Sequence, residues 1–255
     1  MAGRRQEVAA LREHLAPDSP YRAVVLLGEA GVGKSRLASE MSTLDEFLVF
    51  TGWCLPRSEG LPFLPVVDLL RGIQRYEPVL SAQSLAGSPP YVAAELRRVL
   101  PELAEAADDI GTPPHEAWMR TRLFDALAQF FANLVTPRPI VLALEDIHWA
   151  DSTTLEFLDY LLSPGRGLPE KLLLTYRSGE AHRADVEDWL DRLRRLNDVR
   201  LMELAPLTRS ETAEQIEMLR ANPVPLSRSL SILENRAVHT HDLQQREPIP
   251  GVQPF

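Results

Sequence analysis

Ala23-Val24-Val25-Leu26-Leu27-Gly28-Glu29-Ala30-Gly31-Val32-Gly33-Lys34-Ser35 is the stretch that constrains this chain most tightly. Its first five residues are apolar and end at a glycine, the pattern of a strand buried on both faces. Gly28-x-x-x-x-Gly33-Lys34-Ser35 then matches the strand–loop–helix phosphate-binding pattern in full. Gly28, Gly31 and Gly33 let backbone N–H groups turn inward around an anion where a Cβ would clash. A helix starting near Lys34 offers unpaired N–H groups and the positive end of its dipole to the same anion. Lys34 supplies a mobile charge to the β- and γ-phosphates, and Ser35 a hydroxyl to the bridging Mg²⁺. The expected ligand is a purine nucleoside triphosphate, ATP with Mg²⁺. Gly28, Glu29, Ala30, Gly31, Val32, Gly33, Lys34, Ser35 and Arg36 are its binding set. A ligand-free glycine turn is the competing reading, and the intact spacing and both flanks weigh against it.

Working outward, Val8, Leu11 and Leu15 share a helical face that stops before Pro17. Lys34 to about Met41 reads as a helix and Phe47–Thr51 as a second strand. A proline-studded loop runs from Gly52 to Pro65, followed by a helix carrying Val66, Val67, Leu70 and Ile73. Residues 76–114 are helical in part, over Tyr91–Leu100, and interrupted by Pro89, Pro90, Pro101, Pro113 and Pro114. Leu123, Leu127, Phe130, Phe131 and Leu134 mark a long amphipathic helix that Pro137 and Pro139 stop. Ile140–Leu144, Leu172–Tyr176 and Val199–Leu204 are the remaining strands. The helices after the third strand cover Ser152–Leu162, the stretch with Trp189, Leu190, Leu193 and Leu196, and Arg209–Leu219. Alternating strands and helices predict an α/β P-loop fold: a five-stranded parallel sheet with helices on both faces and a helical insertion before the third strand. Residues 1–220 form this domain. Residues 221–255 are expected to be an irregular tail, polar and rich in proline, with only Leu226, Leu230 and Leu233 hinting at a helix. That tail reads as disordered or as a truncated or frame-shifted helical lid.

Ile140-Val141-Leu142-Ala143-Leu144-Glu145-Asp146 is an apolar strand ending in two acids. Opposite a phosphate loop, one carboxylate holds the Mg²⁺ shell and the next polarises the attacking water. By position Glu145 takes the metal side and Asp146 the base, although many relatives of the motif carry Asp first, so the two roles are exchangeable. Two solvated acids at a strand end are the plain alternative. Ser35, Glu145 and Asp146 are thus the expected metal set. Arg177 ends the fourth strand, where it either senses the γ-phosphate or pairs on the surface with Glu180; the sensor reading rests on fold analogy. Asp151 is expected to cap the following helix and Trp149 to pack. His148 reads equally as a phosphate relay and as a structural residue.

Bulk properties narrow the class. Hydrophobic residues make up 45% of the 255, enough for a real core. With 36 acidic against 27 basic residues the formal charge is −9, so generic attraction to nucleic acid is not expected. The lone Cys54 excludes an intramolecular disulfide, and no apolar run spans a bilayer. A soluble cytoplasmic protein without membrane contact is the expectation.

Taken in order, Gly3-Arg4-Arg5-Gln6-Glu7-Val8, Gly28–Leu37, Gly60-Leu61-Pro62-Phe63-Leu64-Pro65, Leu144–Asp151, Thr175-Tyr176-Arg177 and Leu204-Ala205-Pro206-Leu207-Thr208 resemble one family. It is the ATPase domain of the signal-transduction ATPases with numerous domains, in the AAA-like branch, most like the large ATP-binding LuxR-family regulators. The resemblance covers about residues 1–220. It implies a sheet in which the strand ending at Arg177 lies between those bearing Lys34 and the Glu145–Asp146 pair. It also implies slow ATP hydrolysis to ADP used as a switch, with self-association or a regulator partner, and Gly3 and Arg4 on the adenine or ribose side. Such regulators continue into a lid, repeats and a DNA-binding helix-turn-helix. Here Asn222-Pro223 follows too closely on the preceding helix, and no direct DNA binding is expected. The catalytic set is Lys34, Glu145, Asp146 and Arg177. The alternatives are a nucleotide-binding partner or inhibitor without turnover, a motor ATPase lacking a transporter signature, and a small-substrate kinase.

Overall fold

The computed structural model describes residues 3–56, 63–101, 116–163, 170–179 and 183–221. Helix α1, Arg5–Leu15, ends where Ala16 turns extended ahead of Pro17, because a residue preceding proline is pushed out of the helical region. Then come β1 (Ala23–Gly28), α2 (Lys34–Met41) and β2 (Leu48–Trp53). Among the described residues four helices form the insertion: α3 (Leu64–Tyr76), α4 (Pro78–Ala86), α5 (Pro90–Val99) and α6 (Glu116–Ala132). The chain continues through β3 (Ile140–Glu145), a 3-10 turn over Ile147–Trp149, α7 (Ser152–Leu162), β4 (Lys171–Arg177), α8 (Ala184–Leu193) and β5 (Val199–Glu203). Helix α9, Arg209–Ala221, lies in a unit separate from the sheet.

The strands form one parallel sheet in the order β2-β3-β4-β1-β5. The strand ending at Arg177 does lie between those leading to Lys34 and to Glu145. All six residues of β1 and of β3 are buried, as full cover on both faces requires. Side chains alternate between two cores. Val24, Leu26, Val141, Ala143 and Leu173 pack with Leu11, Leu15, Leu37 and Met41 of α1 and α2. Val25, Leu142, Leu144, Leu172 and Leu174 face the insertion helices together with Phe157 and Trp189.

Each expected strand forms within two residues of its expected ends. Over residues 76–101 the structure adds α4 to the helix expected over Tyr91–Leu100: Pro78 and Pro90 begin α4 and α5, because proline's fixed φ suits the first helical turn and its missing N–H costs nothing there. Gly60–Pro62 of the resemblance, Pro113 and Pro114, Glu180, and the expected tail after Ala221 lie outside the described residues.

Candidate active site

The phosphate loop leaves β1 at Gly28, whose φ is 154°. A Cβ there would stand 2.8 Å from Val32 Cγ1 and 2.9 Å from the Leu204 carbonyl oxygen, so only glycine lets the loop fold back on β5's end. Gly33 (φ 103°) takes the left-handed conformation that starts α2, and no side chain caps that helix. Its first amides are thereby left to an anion. Lys34 is 93% buried, its ammonium donating to the carbonyls of Gly28 and Glu29 at 2.8 Å each. Burial pushes its pKa below the usual lysine value, Asp146 opposes that shift and Arg177 adds to it. Lys34, Asp146 and Arg177 therefore share one electrostatic neighbourhood. Ser35 and Arg36 lie exposed on the first turn of α2.

Strand alternation aims the remaining groups. Since Ala143 and Leu173 face α2, so must Glu145, Thr175 and Arg177, two or four residues further along. Arg177 lies directly across the ladder from Gly28. The Ser178 N–H donates to the Gly28 carbonyl at 3.0 Å, and Gly179 abuts Glu29. Glu145 is 94% buried.

Asp146 is left-handed (φ 57°, ψ 45°), and its N–H donates to the Thr175 hydroxyl at 2.8 Å. The paired β3–β4 register runs to Leu144–Leu174, so a side chain takes over where the ladder stops. Phe63, the other non-glycine residue at positive φ among the described residues, is held similarly: its N–H donates to Asp151 Oδ2 at 3.1 Å. Asp151 also accepts from the Thr154 N–H (3.0 Å) and hydroxyl (2.6 Å), which makes it the helix cap expected and a tie to the α3 entrance as well. Sequence reasoning named Thr175 only within the Thr175-Tyr176-Arg177 motif; the signal for its role was its place two residues before Arg177. His148 is buried, in ring contact with Trp149 and Tyr176. Trp149 is 41% exposed rather than packed away, because the 3-10 turn rotates it off the core.

Gly3 and Arg4 lie behind the loop. Gly3 has φ 69°, and the 96%-buried Arg4 donates to the carbonyls of Val32 (3.1 Å) and Ala205 (2.5 Å) and to Glu7 (2.6 Å).

The residues present fit a magnesium nucleotide. An uncapped helix start behind left-handed glycines suits phosphate oxygens, and the Lys34 ammonium has a third N–H beyond the two carbonyls it serves. Among the described residues no group of three or more His, Cys, Asp or Glu forms a metal cage. Magnesium suits such a place, because it binds through one or two carboxylates plus substrate phosphates and keeps several waters.

The family model described as "AAA ATPase domain" matches residues 1–175. No curated protein matches the chain. Among solved structures, the chain is similar to a signal transduction ATPase with numerous domains, carrying a tetratricopeptide repeat sensor, from Pyrococcus horikoshii. That likeness has 16% identity and a TM-score of 0.43, covering 87% of this chain and 26% of that one. It is also similar to a chain of the Drosophila ORC bound to DNA (13% identity, 82% and 94% covered, TM-score 0.40). Cdc6p from Pyrobaculum aerophilum matches at 13% identity with 82% and 46% covered and a TM-score of 0.39. The chain thus spans about a quarter of the length of the first of these proteins. Among the described residues no helix is long and apolar enough to cross a membrane.

Proposed function

This chain belongs to the AAA ATPase domain family, and from that premise we propose that it is an ATP-binding, slowly hydrolysing switch domain of a signalling or transcriptional regulator of the STAND class. The observation that carries the reading is the convergence at one sheet edge. Lys34 senses both Asp146 and Arg177, and Arg177 stands across the ladder from Gly28. Ligands of open α/β sheets bind at this carboxyl edge.

Bound Mg·ATP supplies the scissile phosphoanhydride and a metal charge that offsets the phosphates. The loop amides and the third N–H of the Lys34 ammonium would hold the β- and γ-phosphates. Ser35 and Glu145 would hold the metal side. Asp146 accepts the proton of the attacking water, kept in place by a backbone that Thr175 fixes. Arg177 responds to the terminal phosphate from the next strand. The domain is read over residues 1–220, with α9 in a unit of its own at its end, and LuxR-family regulators are its relatives; a cytoplasmic setting with self-association or a regulator partner completes the reading.

Calorimetry and a steady-state phosphate-release assay test it. Lys34→Ala is expected to abolish Mg·ATP binding, while Asp146→Asn binds normally and turns over about 100-fold more slowly or worse. Equal ATP affinity in wild type and Lys34→Ala would sink the binding site. Undiminished turnover in Asp146→Asn would sink the assigned base, and no turnover in wild type would leave a binding module acting as a partner of larger relatives.

A further inference from the structure

A loop that turns its N–H groups toward an anion must turn carbonyls the other way, and any that are buried need donors. Here the donor is Arg4. Its Nη2 serves two carbonyls, Val32 at 3.1 Å and Ala205 at 2.5 Å, and its Nη1 is held by Glu7 at 2.6 Å. The first carbonyl lies in the phosphate loop and the second just past β5, 173 residues apart by subtraction. Val32 is held on its other side too: its Cγ1 lies 2.8 Å from where a Gly28 Cβ would stand, a point 2.9 Å from the Leu204 carbonyl oxygen, and the Leu204 N–H donates to the Leu27 carbonyl at 2.8 Å. Val32 therefore sits in a slot between the end of β1, the exit of β5 and the start of α1, with one guanidinium across it.

We propose that Arg4 is a positioning residue of the phosphate loop, holding the Val32 carbonyl outward and the loop against Ala205, so that triphosphate affinity depends on Arg4 whatever base is attached. The inference rests on the phosphate-loop reading above. Both Nη2 hydrogens are used on carbonyls and the residue is 4% exposed, which leaves the guanidinium little to offer a nucleobase. Arg4 shapes the anion site without touching the anion. Its charge also adds to the loop's positive field, but the bonds to Val32 and Ala205 give it a geometric role that a cation elsewhere would not replace.

The test is calorimetry of wild type, Arg4→Met, Arg4→Lys and Lys34→Ala with two magnesium ligands, ATP and inorganic triphosphate. Arg4→Met is expected to weaken both ligands by the same factor, about tenfold. Arg4→Lys, which keeps a cation that can reach one carbonyl, is expected to lose less. A loss confined to ATP, with inorganic triphosphate unaffected, overturns the proposal in favour of a base contact. So does unchanged binding of both ligands, and so does a wild type that binds ATP but not inorganic triphosphate. If Arg4→Met gives no cooperative thermal transition, Arg4→Lys is read by the same criteria. Lys34→Ala separates the two levels: if it binds ATP like wild type, the phosphate-loop reading itself has failed. If it loses both ligands while the Arg4 variants keep both, only the present inference has.

Discussion

The two ends of the parallel sheet use the same residue types for opposite purposes. At the amino end, Arg22 donates to Asp198 (2.6 Å) and to the carbonyls of Leu161, Leu162 and Ser163, so it closes the end of α7. Lys171 donates to Ser19 and Tyr21 at 2.9 and 2.8 Å. These cations are committed to carbonyls of the turns and helix ends around them. At the carboxyl end the loop's own glycines and the uncapped α2 hold amides ready for an anion, and Lys34 is braced only by its own loop. A buried cation is therefore uninformative by itself. What separates structure from function is whether the surrounding backbone presents carbonyls alone or also unclaimed N–H groups.

The comparison breaks most visibly under exchange of cations for neutral chains. Arg22→Met should cost about 2–3 kcal/mol of stability, since it strips a carboxylate and the α7 carbonyls of a charged donor, and leave ATP affinity unchanged. Lys34→Ala should do the reverse, removing binding with a Tm close to wild type. Chemical denaturation and calorimetry on both variants check this. If Arg22→Met weakened ATP as much as it destabilised the fold, the two ends would not be separable.

A smaller effect sharpens the carboxyl end. Thr175→Val keeps shape and burial but removes the acceptor of the Asp146 N–H. The left-handed backbone at Asp146 then loses its brace, and about a tenfold fall in kcat with nearly constant KM is expected. Thr175→Ser, which keeps the hydroxyl, should recover most of it. A fall in Val that Ser does not rescue would mean that packing, not the hydrogen bond, matters there.

These contrasts explain what could be read from residues alone. The phosphate loop was legible because its chemistry demands glycine at set intervals, and sheet order followed from the family resemblance. Arg4 was legible as part of a motif but not in its bonds, because Val32 and Ala205 come to it only through the fold. Thr175 was named only within its motif, since its partner, Asp146, sits just past the end of another strand. Asp146 gave no warning of positive φ, because aspartate tolerates that conformation without the need for glycine. The helix Pro78–Ala86 was missed, although a residue that breaks a helix inside it begins one at its first turn, whereas Pro90 opens the helix expected from Tyr91.

The last expected effect concerns the amino end and separates it from the site by pH. Glu170 stands immediately before β4, 2% exposed, and neither carboxyl oxygen has a hydrogen-bond partner among the described residues. Burial raises its pKa from 4.5 to about 8. The folded protein thus holds this proton more tightly than the unfolded chain does. The stabilisation is complete below 4.5 and is lost as pH rises through about 8. Glu170→Gln removes the titrating group, so its Tm should fall less than that of wild type between pH 5 and pH 8. Nucleotide affinity should not follow this difference, because β4 separates Glu170 from Arg177 by roughly 20 Å of strand. Parallel loss of Tm in both proteins would mean that the buried carboxyl is not what titrates, and the amino end would then be as pH-indifferent as its saturated cations suggest.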